Sequence, residues 1–326
     1  MSRNRGQGMG HATLQDVRSL STPLAVGAAA VAAAGVGSLA YARWEADRYL
    51  LRQVDIPVLA SGPALRVLHI SDLHLAQHQP KRERWVAALA DLTPDLVVAT
   101  GDFISQSVAI ERLSAALGGL LSRPGVFVFG SNDEHDAKPI NPLKYFRGPS
   151  RVSRHRRSAD THRLAAVLTS AGWINLNNAS TTMQIAGHMV SCTGTGDAHI
   201  HRDDYPSVAH SWNPEADLRL GVTHAPYARV LDAMADDGAD LIFAGHTHGG
   251  QVCLPRFGAL VTNCDLDRSR VKGLSRHGNS WLHVSAGIGT NPYAQIRVAC
   301  RPEATLLTLT PRPDNAAEPG RDNATA

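Results

Sequence analysis

Leu65-Arg66-Val67-Leu68-His69-Ile70-Ser71-Asp72-Leu73-His74-Leu75 joins a short strand-like run to an Asp-x-His pair. Six residues rich in branched apolar side chains, stopped by Ser-Asp, are too few for a helix and fit a buried strand. The arrangement recurs downstream. Asp95-Leu96-Val97-Val98-Ala99-Thr100 ends in Gly101-Asp102, and Gly125-Val126-Phe127-Val128-Phe129 ends in Gly130. Helical spacing fills the intervals, at 80–92 with Trp85, Ala88, Leu89 and Leu92 on one face, and at 108–122. Strand, helix, strand, helix, strand predicts an α/β sheet covered on its faces. Further along, the pattern predicts helices at 163–171 and 226–238 and strands at 183–192, 218–223 and 240–244. Alternating runs at 281–286, 295–299 and 304–310 close a β-rich second half.

Ligand-type residues collect where these strands end. Asp72 and His74 follow the first, Asp102 the second and Asn132 the third. His224 follows the run at 218–223, and His246 and His248 follow the run at 240–244. In open α/β sheets the carboxyl ends of strands line one crevice, so seven O and N donors are expected to converge there. Carboxylate, imidazole and amide oxygen without thiolate suit Mn, Fe or Zn. Seven donors exceed what one ion takes while keeping a position open for water, so two divalent ions sharing a carboxylate are expected.

The ordered set reads Asp72-x-His74, Gly101-Asp102, Gly130-x-Asn132, His224, then Gly245-His246-Thr247-His248. It resembles the calcineurin-like metallophosphoesterase superfamily over residues 65–310. Ser71-Asp72-Leu73-His74-Leu75 and Gly245-His246-Thr247-His248-Gly249-Gly250-Gln251 look like a bacterial subgroup with one N-terminal membrane segment, as does Arg301-Pro302-Glu303. The resemblance implies two β-sheets packed face to face with helices outside, a four-layer α/β/β/α fold. It implies that Asp72, His74 and His248 hold a first metal, that Asn132, His224 and His246 hold a second, and that Asp102 bridges both. It implies phosphoester hydrolysis, in which the two ions turn a bridging water into hydroxide that attacks phosphorus in line.

One departure stands out. The superfamily carries a proton-donating histidine directly after the motif asparagine, where this chain has Asp133, and Ser131 is an added residue between Gly130 and Asn132. An aspartate beside two dications is a poor general acid. His199 and His201, in Gly196-Asp197-Ala198-His199-Ile200-His201, are the alternative donors, with exposed loop residues as the plain reading.

The flanks divide the chain. Residues 1–42 form a polar arm and an Ala-rich segment, 43–64 a linker, 65–310 the main domain with a basic insert at 136–163, and 311–326 a disordered tail. No charge occurs between Ser19 and Ala42, and 12 of the 19 residues from Leu24 to Ala42 are Ala or Gly. A membrane anchor, a signal cleaved after Ala40-Tyr41-Ala42, and a disordered leader are the three readings; the anchor is preferred, with the domain outside the cytoplasm and the cytoplasmic face as alternative. The insert carries +6 while the rest of the chain sums to −3, and reads as a cap that attracts anions or as a solvated loop. Four cysteines without a CxxC pair argue against a thiolate zinc site, and a Cys253–Cys264 bridge is an option in an oxidising compartment. A net charge of +3 is too small for a general nucleic-acid binder.

Three functions follow. The first is hydrolysis of a phosphodiester or pyrophosphate on a membrane-associated, lipid-linked substrate, as in the UDP-diacylglucosamine pyrophosphatases of the superfamily. The second is a phosphatase or nucleotide phosphodiesterase for soluble substrates. The third is a metal-binding protein without turnover.

Overall fold

The computed structural model of the chain describes residues 14–139, 157–254 and 256–313. The chain divides into two units, residues 1–42 and 43–326. The first is helical from Leu14, within helix α1 (Leu14–Glu45). Among the described residues no helix is long and apolar enough to cross a membrane. The Ala and Gly content explains this, since those side chains contribute little apolar surface per turn. The anchor expectation therefore finds no support.

Among its described residues the second unit holds two six-stranded sheets and a two-stranded ribbon of β10 (Cys253–Leu254) and β11 (Gly258–Ala259). The first runs β1 (Leu50–Leu59), β14 (Glu303–Pro311), β2 (Leu65–Ile70), β3 (Leu96–Ala99), β4 (Gly125–Phe127), β5 (Ile174–Asn175). The second runs β12 (Gly273–His277), β13 (Ser280–Val284), β9 (Leu241–Ala244), β8 (Leu218–Val222), β7 (His188–Gly194), β6 (Ala179–Ile185). The inner faces meet in one apolar layer with Leu65, Val67, Val98, Val126, Leu220, Phe243 and Leu307. Alternate residues of the same strands, such as Leu68 and Ile70, face α2 (Pro80–Ala88), α3 (Ile110–Leu117) and α5 (Thr161–Ser170). Ile242 and Ala244 face α6 (Ala228–Asp236). Strands buried on both faces explain the near-continuous apolar runs. Each buried Val, Leu or Phe contributes roughly 1.5–3 kcal/mol.

Several expectations need correction. Residues 43–64 are no linker: β1 pairs in parallel with β14 from Leu50↔Glu303 to Leu59↔Pro311 and forms a sheet edge. The strand expected at 183–192 is a hairpin, β6 and β7, turned at Ala186 and Gly187 with φ of 50° and 89°. Residues 295–299 form no strand, only one bridge between Val298 and Val252. All four cysteines are free thiols. Of the basic insert, residues 140–156 lie outside the described residues, as does the tail beyond 313. The described ends of the insert are pinned together, because Asp136 N–H donates to Arg157 O and Ala159 N–H to Glu134 O. Just after them, Asp160 caps α5 by accepting Arg163 N–H.

Candidate metal centre

Five of the seven candidate ligands sit in left-handed backbone: Asp72 (φ 51°), His74 (45°), Asp102 (53°), His246 (68°) and His248 (49°). For L residues this costs about 1–2 kcal/mol each and persists only where surrounding contacts impose it. Those contacts are backbone hydrogen bonds between neighbouring loops. Asp72 N–H donates to Gly101 O and His74 N–H to Asp102 O, both at 2.9 Å, which fastens the loop after β2 to the loop after β3. Gly245 N–H donates to His224 O at 2.8 Å and fastens the loops after β8 and β9. From α2, buried Arg82 donates to the carbonyls of Leu73 and His74 at 2.9 Å.

Two donor groups result. Asp72, His74 and His248 form one, and Asp72, Asp102 and His224 the other, each with ligand atoms within 4.8 Å of one another. The Nε2 atoms of His74 and His248 are 3.2 Å apart, and Asp72 Oδ1 is 3.7 Å from that of His248. Asp102 Oδ2 lies 3.4 Å from His74 Nε2 and 3.7 Å from His224 Nε2, so it reaches one histidine of each group. Asn132, in the first turn of α4 (Ser131–Glu134), donates its backbone N–H to Asp102 Oδ1 at 2.8 Å and its amide to Oδ2 at 2.7 Å. His246 belongs to neither group; its ring centroid is 5.1 Å from that of His224.

The arrangement fits metal ions at the level of single atoms. Asp72 Oδ1, Asn132 Oδ1 and His224 Nε2 are buried without a hydrogen-bond partner. Buried polar atoms are normally paired, so electron-rich atoms left bare in one cluster point to a cation. Each imidazole is oriented through its other nitrogen: His224 Nδ1–H donates to Thr100 O at 2.6 Å, and His74 Nδ1 is 2.9 Å from Ser105 Oγ. Such partners fix the nitrogen that faces a metal.

Burial and the clustered carboxylates pull these groups in opposite directions. Burial raises the carboxyl of Asp72, helped by the charge of Asp102. Burial would also raise Asp102, but His224, His74 and the bonds from Asn132 outweigh it and hold that carboxyl low. Burial keeps His74 neutral, down to about 4, and lowers His246 and His248 as well. His224 goes the other way, up to about 9: burial opposes its charge, but Asp102, Asp197 and Asp72 prevail.

Strand-end Asp-x-His, Asp, Asn, His and His-x-His around a two-sheet core is a family pattern, and residues 65–250 match the calcineurin-like phosphoesterase model. The chain belongs to the calcineurin-like phosphoesterase family. The metallophosphoesterase YkoQ of Bacillus subtilis is 30% identical over 76% of this chain and 84% of its own length. Phosphodiesterase YaeI of Escherichia coli is 27% identical, covering 75% and 82%. UDP-2,3-diacylglucosamine pyrophosphatase LpxG of Chlamydia trachomatis is 27% identical, covering 74% and 83%. This calcineurin-like phosphoesterase is thus a metal-dependent hydrolase of phosphoric ester bonds with the two-sheet α/β fold.

The three catalytic candidates part company in this phosphoesterase. Asp133 is buried and turned into α4, where its carboxylate accepts Gly130 N–H at 3.0 Å and Ile104 N–H at 3.2 Å. His199 reaches the centre: its ring is 4.5 Å from that of His246, and its Nδ1 is 3.1 Å from Tyr227 Oη. His201 is exposed and caps a short turn in left-handed backbone, with φ 58°. Sequence reasoning missed Arg297, which is buried and braces the carbonyls of Ala286, Gly287 and Gly289 behind His248. It also missed Asn263, whose carbonyl is 3.1 Å from His246 Nε2. Neither lies in a motif or at a predicted strand end.

Proposed function

We propose that this phosphoesterase hydrolyses a phosphodiester or pyrophosphate bond in a lipid-linked substrate, using two divalent transition-metal ions of the Mn, Fe or Zn class. Asp72, His74 and His248 hold one ion, Asn132, His224 and His246 the other, and Asp102 both. The observation that carries this reading is the trio of bare buried atoms, Asp72 Oδ1, Asn132 Oδ1 and His224 Nε2. Ions bound by these residues would supply a nucleophile at neutral pH and polarise the phosphoryl oxygens. The chain's own residues do the rest. Asp102, fixed by two bonds from Asn132, keeps negative charge between His74 and His224. Tyr227 orients His199, the imidazole beside the ligand set that passes a proton to the leaving oxygen.

The lipid-linked part rests on the relatives' activities and on a surface beside His248. Gly249, Leu254, Arg256, Arg268 and Lys272 line a cavity of about 320 Å³. Leu254 and Phe257 are exposed there, with the Arg268 guanidinium 5.3 Å above the Phe257 ring. Apolar side chains interleaved with cations suit an anionic headgroup and its acyl chains. Membrane association through the uncharged run Ser19–Ala42, with the catalytic unit outside the cytoplasm, belongs to the same reading.

The test compares a bis-aryl phosphate, a mono-aryl phosphate and a UDP-linked diacyl pyrophosphate in mixed micelles, each with wild type and Asp102→Asn. Metal-dependent cleavage of the pyrophosphate well above the mono-aryl ester, lost in Asp102→Asn, is expected. Preference for the mono-aryl ester would favour a soluble-substrate phosphatase instead.

A further inference from the structure

Behind the centre, a file of buried polar side chains crosses the apolar layer between the sheets. His283 Nδ1, from β13, lies 2.8 Å from His69 Nδ1, from β2. His69 Nε2 lies 2.9 Å from Thr100 Oγ1. Thr100 donates to Ser71 Oγ at 2.7 Å, and Ser71 donates to Asp72 Oδ2 at 2.5 Å. All five side chains are buried, and the His69 ring otherwise packs edge-on against Phe243.

Counting protons gives the file a direction. Each hydroxyl has one proton. If Ser71 spends its proton on Asp72, it must accept from Thr100. Thr100 must then accept from His69 Nε2–H. Burial keeps both imidazoles neutral. A neutral His69 protonated on Nε2 is a bare acceptor on Nδ1, so His283 must carry its proton on Nδ1. The whole file thus donates toward Asp72 Oδ2, which also accepts His246 N–H at 3.1 Å. The other oxygen, Oδ1, is the one left bare toward His74 and His248.

We propose that His69, backed by His283, is a positioning residue that acts through Thr100 and Ser71 to hold Asp72 Oδ2 and turn Oδ1 to the metal ions. The proposal rests on Asp72 being a ligand. A simple stitch between two sheets would need no such order: an apolar pair of similar volume would close the layer equally well. Partners behind a metal ligand typically matter ~10–100-fold in metal affinity.

The test uses the full chain and Mn²⁺ alone, titrated by calorimetry. His69→Leu removes the donor, and His69→Gln places an amide N–H near the position of Nε2. Thr100→Val breaks the file without touching either imidazole, which keeps the test open if His69→Leu does not fold. Expected are a loss of ~10–100-fold for His69→Leu and for Thr100→Val and recovery of most of it in His69→Gln. Ring ¹⁵N spectra of the wild type should show His69 protonated on Nε2 and His283 on Nδ1. Wild-type Mn²⁺ affinity in Thr100→Val, or the opposite tautomers, would overturn the proposal. Asp72→Asn separates the metal site from the file behind it. Unchanged Mn²⁺ binding in that variant would sink the metal-site reading itself. Lost binding there, with Thr100→Val unaffected, would sink only the role of the file.

Discussion

Gly245→Ala is a one-methyl perturbation at a residue that ligates nothing. Its effect should nevertheless reach the metal centre. A Cβ built on Gly245 overlaps Ser71 Oγ and comes within 2.7 Å of Asp72 Oδ2 and 3.0 Å of Thr100 Oγ1. The Ser71 hydroxyl cannot swing aside freely, because Thr100 and Asp72 hold it from both sides. The backbone at Gly245 is outside the positive-φ region, so alanine is not strained for its own sake. Overpacking costs ~1–3 kcal/mol. Losing the charge-assisted bond from Ser71 costs ~1.5–3 kcal/mol. Lower entropy of the unfolded chain returns ~0.4–1 kcal/mol. The net is a loss of ~2–5 kcal/mol, or about 4–20 °C in Tm at ~2–4 °C per kcal/mol. Metal-free thermal melts measure it, and Mn²⁺ affinity should fall ~10–100-fold alongside. A metal-free Tm within about 1 °C of wild type would mean that the loop after β9 does not press on Ser71 as described.

The part played by Asp133 gives a second expectation. Asp133→Ala leaves the amides of Gly130 and Ile104 without their acceptor and should lower Tm, at ~1–3 kcal/mol per buried group. The ratio of alkyl to aryl ester turnover should not change in that variant, and Asp133→His should not raise it; a raised alkyl rate in Asp133→His would restore the proton-donor reading of this position. His199→Ala should cut alkyl ester turnover by ~10²–10⁴-fold while sparing activated aryl esters, with His201→Ala near wild type on both. Equal effects of the two variants would contradict the placement of His199 beside His246. The buried imidazoles predict an acid limb of stability. His283 is lowered by burial to about 3, against 6.5 in the unfolded chain. Its neutral form therefore adds stability that is complete above pH ~6.5 and lost as pH falls toward ~3, with a slope of ~1.4 kcal/mol per pH unit. Urea unfolding of the metal-free protein at pH 4–6 should show that slope reduced in His283→Leu, and an unchanged slope would mean that His283 is not buried and neutral.

Much of this organisation was legible because strands buried on both faces leave short apolar runs that end abruptly. Leu65–Ile70, Leu96–Ala99 and Leu241–Ala244 fall where the sequence placed strands, and the ligand-type residues follow each of them. β1 escaped because Arg52, Gln53 and Asp55 of an edge strand face solvent and dilute its pattern. The β6–β7 turn escaped because Ala186 takes a positive φ without the usual Asn or Asp. Side-chain direction was not legible at all. Asp133 stands beside Asn132 in sequence, yet in a short helical turn its carboxyl group is taken up by two backbone amides. His69 was visible only as one polar residue in an apolar strand, since its partner His283 is 214 residues away on the other sheet.

The two-ion centre is tested by metal content, measured by mass spectrometry on protein loaded with Mn²⁺ and stripped of weakly bound ions. About two ions per wild-type chain are predicted. Asp102→Asn should lose both, because its carboxylate lies between His74 Nε2 at 3.4 Å and His224 Nε2 at 3.7 Å. His248→Ala should lose mainly the ion it shares with Asp72 and His74. A single tightly held ion in the wild type, retained in Asp102→Asn, would contradict the two-ion centre.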